Sequence, residues 1–153
     1  MTFSTDSGFP LGSRYVAVAN GSSYAYCSDA GLPSGTSDRT ICAWVKTSST
    51  ANDQIFVSYG TASSGQAAQL YISSTGYVGV SGSGSGYGYA TSSSAVNNGS
   101  WHHVGFTLSS SGTLATIYVD GAAVGSGSMT AWNTTLGGTL RLGEYFGGGS
   151  YYF

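Results

Sequence analysis

Acid–base, nucleophilic or metal chemistry in this chain would have to come from two histidines, six carboxylates and two cysteines. The histidines are adjacent, His102 and His103, in the run Trp101-His102-His103-Val104-Gly105-Phe106-Thr107-Leu108. Successive strand residues point to opposite faces, so one imidazole turns inward and the other outward. Catalysis by either would need a nucleophile or carboxylate fixed beside it. Asp6, Asp29, Asp38, Asp53, Asp120 and Glu144 are isolated from one another in sequence, whereas glycosidic cleavage needs two facing carboxylates. Asp120 is moreover followed by Gly121, a pair suited to a tight hairpin. Hydrolysis is therefore not expected, and neither is any other enzymatic activity. Cys27 and Cys42 are too few for a zinc site. They either close one disulfide, worth about 3 kcal/mol, or leave Cys42 as a buried thiol packing as a small hydrophobe.

Aromatic side chains offer a different chemistry. Tyr87, Tyr89, Trp132, Tyr145, Phe146, Tyr151 and Tyr152 lie in glycine-rich stretches and cannot all be buried. A sugar's apolar C–H face stacks on such rings while neighbouring Ser, Thr and Asn bond its hydroxyls. The same residue types dominate protein interfaces. Tyr87, Tyr89, Trp132, Tyr145 and Phe146 are the candidate ligand-binding residues, for a glycan or a surface protein, with Trp132 and Tyr145 alternatively covering the ends of the fold.

The elements that must position them are strands. His102, Val104, Phe106 and Leu108 alternate on one face, and after a Ser-Ser-Ser-Gly break Ala115, Ile117 and Val119 do the same. Strand-like runs occupy Tyr15–Ala19, Arg39–Lys46, Gln54–Tyr59, Gln69–Ser73, Tyr77–Ser81, Trp101–Leu108, Leu114–Val119 and Thr139–Leu142, separated by turn dipeptides. Nothing reads as a long helix. The pattern predicts an all-β, antiparallel sandwich or jelly roll.

With 153 residues and 41% hydrophobic content, the chain supports one core. Residues 1–14 read as an N-terminal segment and residues 15–153 as the domain. The charged fraction is 7%, the net charge is −2, and the cations Arg14, Arg39, Lys46 and Arg141 are scattered. A nucleic-acid site needs a concentrated basic stripe, so that class is excluded. The 14% aromatic content argues against disorder. No apolar segment approaches the roughly 20 residues that span a bilayer, so membrane insertion is not expected. The start, Met1-Thr2-Phe3-Ser4-Thr5-Asp6, lacks the basic and apolar regions of a signal peptide.

The order W-H-H-V-x-F-T-L, gap, I-Y-V-D-G resembles the laminin G-like and pentraxin-like jelly rolls of the concanavalin A-like superfamily. Thr40–Lys46, Ile55–Gly60 and Leu140–Gly143 are similar to further strands of that group, in the same order. The resemblance implies a concanavalin A-like sandwich in which the two histidines serve strand packing and a hydrogen bond. It raises the question of calcium, which takes six to eight oxygens. Where pentraxins have acidic stretches this chain has Glu144-Tyr145-Phe146 and Gln66-Ala67-Ala68-Gln69. No cofactor is expected beyond a single weak calcium ion held by Glu144 or Asp29 with backbone carbonyls.

Members of the group usually continue into a further core strand after the Gly-rich loop, here residues 147–153. Without it, an edge is left to be filled by residues 1–13, by a strand-donating neighbour, or by the remainder of a longer chain. The expected function is that of a binding and adhesion module on an extracellular or virion surface. The alternative is a structural subunit, such as a phage decoration or fibre protein or a filament subunit, forming a homo-oligomer through its open edge and exposed aromatics.

Overall fold

The computed structural model describes the backbone of residues 2–4 and 15–17, and residues 24–51, 53–83 and 90–144 in full. Among the described residues there are twelve strands: β1 (Thr2–Ser4), β2 (Tyr15–Ala17), β3 (Ala25–Ser28), β4 (Arg39–Lys46), β5 (Gln54–Gly60), β6 (Ala67–Ile72), β7 (Tyr77–Ser81), β8 (Thr91–Ala95), β9 (Trp101–Ser109), β10 (Leu114–Val119), β11 (Ala122–Ser128) and β12 (Thr139–Leu142). There is no helix among the described residues, hence none long and apolar enough to cross a membrane.

Two antiparallel sheets stack to form the sandwich. One has the order β11-β10-β9-β4 and the other β3-β12-β5-β6-β7-β8. Strands β1 and β2 pair with each other as a separate ribbon, in the register Phe3 to Val16. Alternation drives the stacking. Val104, Phe106 and Leu108 of β9 and Ala115, Ile117 and Val119 of β10 bury one apolar face. Ala68, Leu70 and Ile72 of β6 with Val78 and Val80 of β7 bury the face opposite.

Asp120 and Gly121 turn β10 into β11 with φ of 50° and 84°. The mirror-image turn this makes matches the twist of the flanking strands, and it draws the apolar-poor run Ala122–Ser128 into the sheet. The sheets approach each other closely where β11 passes β8. A Cβ on Gly125 would lie 2.2 Å from the Thr91 carbonyl oxygen.

Trp132 lies in the connection between β11 and β12 and is fully buried. Its indole meets the Phe106 ring edge-on at 6.0 Å, and its backbone N–H donates to the Gly112 carbonyl. The ring presses on Gly82, where a Cβ would sit 2.7 Å from Cδ1 and Nε1. The expectation that Trp132 presents a stacking face to a ligand is therefore corrected: the space between the sheets takes the whole indole, and it belongs to the core.

The cysteines are free thiols, Cys27 on β3 and Cys42 on β4, in different sheets. Cys42 is exposed. Its neighbours Ile41 and Ala43 pack toward the core, which turns the thiol outward.

Candidate functional site

The outer face of the six-stranded sheet gathers polar and aromatic residues into one transverse row. Leu140 and Leu142 on β12, Val57 and Tyr59 on β5, and Ala68 and Leu70 on β6 face the core, so Arg141, Ser58 and Gln69 between them face outward. Register aligns them: Tyr26 stands opposite Arg141, Arg141 opposite Ser58, Ser58 opposite Gln69, and Gln69 opposite Ser81.

The row grades from exposed rings to buried polar groups. Tyr26 is 68% exposed and Tyr24, two residues before it on the same side, 43%. Their ring centroids are 5.9 Å apart with planes inclined at 38°. The Arg141 guanidinium carbon lies 5.5 Å from the Tyr24 ring centroid, a cation–π contact. Arg141 Nε donates to Thr139 Oγ1 at 3.1 Å and Nη1 to Glu144 Oε2 at 2.6 Å. The Ser58 hydroxyl donates to the Glu144 carbonyl at 2.8 Å, bringing Glu144 to the middle of the row. Ser58 and Gln69 are buried, and Gln69 Nε2 has no hydrogen-bond partner. A buried amide donor left unpaired costs free energy. Beyond Gln69, the Tyr71 ring lies across β7 at Gly79, where a Cβ would come within 2.3 Å of Tyr71 Cζ. Only a glycine leaves room for the ring.

Two buried charges hold the strands that carry the row. Asp29 directly follows β3, and its two carboxylate oxygens accept from the N–H groups of Gly137 and Gly138, each at 3.2 Å, just before β12. The carboxylate thus ties the end of the Tyr26 strand to the start of the Arg141 strand. Arg39 is buried at one end of the sandwich and donates to the carbonyls of Pro33, Ser34, Gly35 and Ser37 and to the oxygens of Tyr59 and Thr134. Burial raises the Tyr59 hydroxyl above its ordinary pKa, although Arg39 beside it acts in the opposite direction.

The carboxylates suggested for calcium have other partners in the structure. Asp29 spends both oxygens on two backbone N–H donors, and Glu144 spends Oε2 on the Arg141 guanidinium. Among the described residues no three His, Cys, Asp or Glu side chains are grouped to hold a metal.

His102 Nδ1 lies 2.7 Å from Asp120 Oδ2, and Nε2 lies 3.1 Å from Asn98 Oδ1. His103 stands on the outer face of the four-stranded sheet against Trp44, with ring centroids 5.3 Å apart. In the same sheet Lys46 Nζ lies 5.9 Å from the Trp101 ring centroid. The imidazoles are engaged in strand-end and cross-strand contacts, as the resemblance implied.

Of the sequence-derived ligand candidates, Tyr87, Tyr89, Tyr145 and Phe146 lie outside the described residues, and Trp132 is in the core. Tyr24, Tyr26, Gln69 and Arg141 were not singled out from sequence. The spacing Tyr24-Ala25-Tyr26 was the available signal, since residues two apart on a strand share a face.

A family model described as the concanavalin A-like lectin/glucanases superfamily matches residues 19–153. Among solved structures, the fold is similar to the Ruminococcus gnavus IT-sialidase CBM40 bound to α2,3-sialyllactose, with TM-score 0.68 and 18% identity over 90% of this chain and 82% of that one. It is also similar to domains LG4–5 of the mouse laminin α1 chain, with TM-score 0.57 and 23% identity over 97% of this chain and 41% of that one. A heptameric SAP-like pentraxin from Limulus polyphemus matches with TM-score 0.59 and 22% identity over 82% and 61% of the two chains. The chain belongs to the concanavalin A-like lectin/glucanases superfamily, as a laminin G-like jelly-roll domain.

Proposed function

We propose that this domain is a non-catalytic binding module, displayed on an extracellular or virion surface, that recognises glycan through the outer face of its six-stranded sheet. The observation that carries the reading is the row Tyr26–Arg141–Ser58–Gln69, with two exposed tyrosine rings at one end beside the Arg141–Glu144 pair. A pyranose ring laid on Tyr26 and Tyr24 gains apolar contact, and its hydroxyls reach the guanidinium beside them. The likeness in fold to a module solved with a bound sialylated sugar supports the reading. Tyr87, Tyr89, Tyr145 and Phe146 remain part of the proposal as residues that add contacts. Tyr145 directly follows Glu144 in the chain.

A glycan array probed with the intact chain, and again with Tyr26→Ala and Tyr24→Ala, tests this. Binding that falls at least tenfold in the variants, with unchanged thermal unfolding, is expected. A fold-intact protein that binds no glycan contradicts it.

A second reading, assembly as a structural subunit, rests on β4. Among the described residues this eight-residue strand ends its sheet, and it carries Ile41, Ala43, Trp44 and Val45. Long apolar edge strands template further pairing. Light scattering separates the two: a monomer at all concentrations removes the assembly reading.

A further inference from the structure

Resting on the glycan reading of this face, we infer that the ligand is a neutral oligosaccharide, one without carboxylate, sulfate or phosphate groups. The chain has four cationic side chains, Arg14, Arg39, Lys46 and Arg141. Arg39 is buried and surrounded by the carbonyl and hydroxyl oxygens that accept from it. Lys46 belongs to the other sheet, near Trp101. Arg14 lies outside the described residues. Among the described residues, Arg141 is therefore the cation of this face, and Glu144 neutralises it at 2.6 Å.

That pairing decides the chemistry. The Glu144 side chain is only 8% exposed, so water does little to screen it. An anionic sugar brought against the guanidinium would meet the carboxylate's repulsion at almost the same range. The protein's net charge of −2 adds nothing to draw it in. A hydroxyl, by contrast, both donates and accepts. A sugar hydroxyl can accept from the part-exposed guanidinium without bringing a charge against Glu144. The tyrosine pair adds stacking on the sugar's C–H face, which carries no charge preference.

The test is calorimetry on matched pairs that share a core and differ by one acidic group. Lactose and 3′-sialyllactose make one pair, alongside similar pairs built on glucose, mannose and N-acetylglucosamine cores. The neutral member of the pair that binds is expected to bind at least as tightly as the acidic one. Its Kd should change less than about twofold between roughly 0.05 and 0.5 M salt, because no charged contact is being screened. Glu144→Gln should uncover the guanidinium and raise affinity for the acidic member by about tenfold, now with strong salt dependence. If that variant does not fold, Arg141→Gln serves instead: neutral-sugar affinity should drop while the salt dependence stays flat. Tighter binding of acidic members by tenfold or more, weakened by salt and abolished in Tyr26→Ala, overturns the neutral assignment and keeps the glycan reading. Binding of no member of the panel overturns both.

Discussion

Asp120 Oδ2 lies 2.7 Å from His102 Nδ1, joining the β10–β11 turn to the start of β9. The second carboxylate oxygen accepts from the His103 backbone N–H at 2.9 Å. A turn residue that could be read as merely permissive for positive φ is thus also a hydrogen-bonded clamp on the Trp-His-His strand.

Burial acts to raise the Asp120 pKa, but the bonds from His102 and the His103 N–H, with the nearby imidazole charges, outweigh it and hold the carboxyl below its ordinary value. The folded chain then binds fewer protons than the unfolded one in the interval between the two pKa values, so stability rises with pH there. The contribution is present in full above the unfolded value, about 3.9, and is lost as pH falls through the folded one. Urea midpoints measured from about pH 5 downward should fall more steeply for the native chain than for Asp120→Asn. Parallel curves would show that the clamp carries no linkage.

Trp132 is a packing residue. Trp132→Ala should cost about 3–5 kcal/mol of unfolding free energy, lowering the thermal midpoint sharply. Trp132→Phe keeps most of the volume and removes the unpartnered indole N–H, so it should cost well under half as much. An alanine variant that unfolds normally yet loses ligand would return Trp132 to the binding surface.

Asp29 joins the two strands of the site through Gly137 and Gly138. Asp29→Ala leaves both N–H groups unpaired, at about 1–3 kcal/mol. Because Tyr26 and Arg141 lie on those strands, sugar affinity should weaken severalfold as well. Denaturation together with calorimetry checks this, and a loss of stability with affinity intact would mean that the row does not depend on the clamp.

Gly125 gives space for β8 to pass. Gly125→Ala drives a methyl into the Thr91 carbonyl, and overpacking of this kind costs about 1–3 kcal/mol. The same substitution at Gly121 meets no atom within 4 Å, so any cost there comes from φ of +84° alone. Chemical denaturation of the two variants separates crowding from backbone conformation.

Much of the sandwich was legible because its core strands alternate. β4, β5, β7, β9, β10 and β12 fall within a residue of the runs read from periodicity. β8 and β11 escaped, and their sequences, Thr-Ser-Ser-Ser-Ala and Ala-Ala-Val-Gly-Ser-Gly-Ser, show why. Each has few apolar side chains and is held by ladder bonds to a neighbour, β7 or β10, rather than by its own burial. The short strands β1 and β3 carried too little pattern to register. The site was less legible. Glycine-rich surroundings suggested an exposed Trp132, but a connection rich in small residues lets a large ring sink inward as readily as it lets one project. The Arg141–Glu144 pair spans a strand end and a turn, and its alignment with Ser58 and Gln69 exists only once three strands are in register.

The most direct test of a glycan surface on the six-stranded sheet is residue-by-residue NMR mapping during titration with the best-bound oligosaccharide. Perturbations should concentrate at Tyr24, Tyr26, Ser58, Gln69 and Arg141. Perturbations centred instead on Trp44, Trp101 and His103 of the opposite sheet would contradict the assignment.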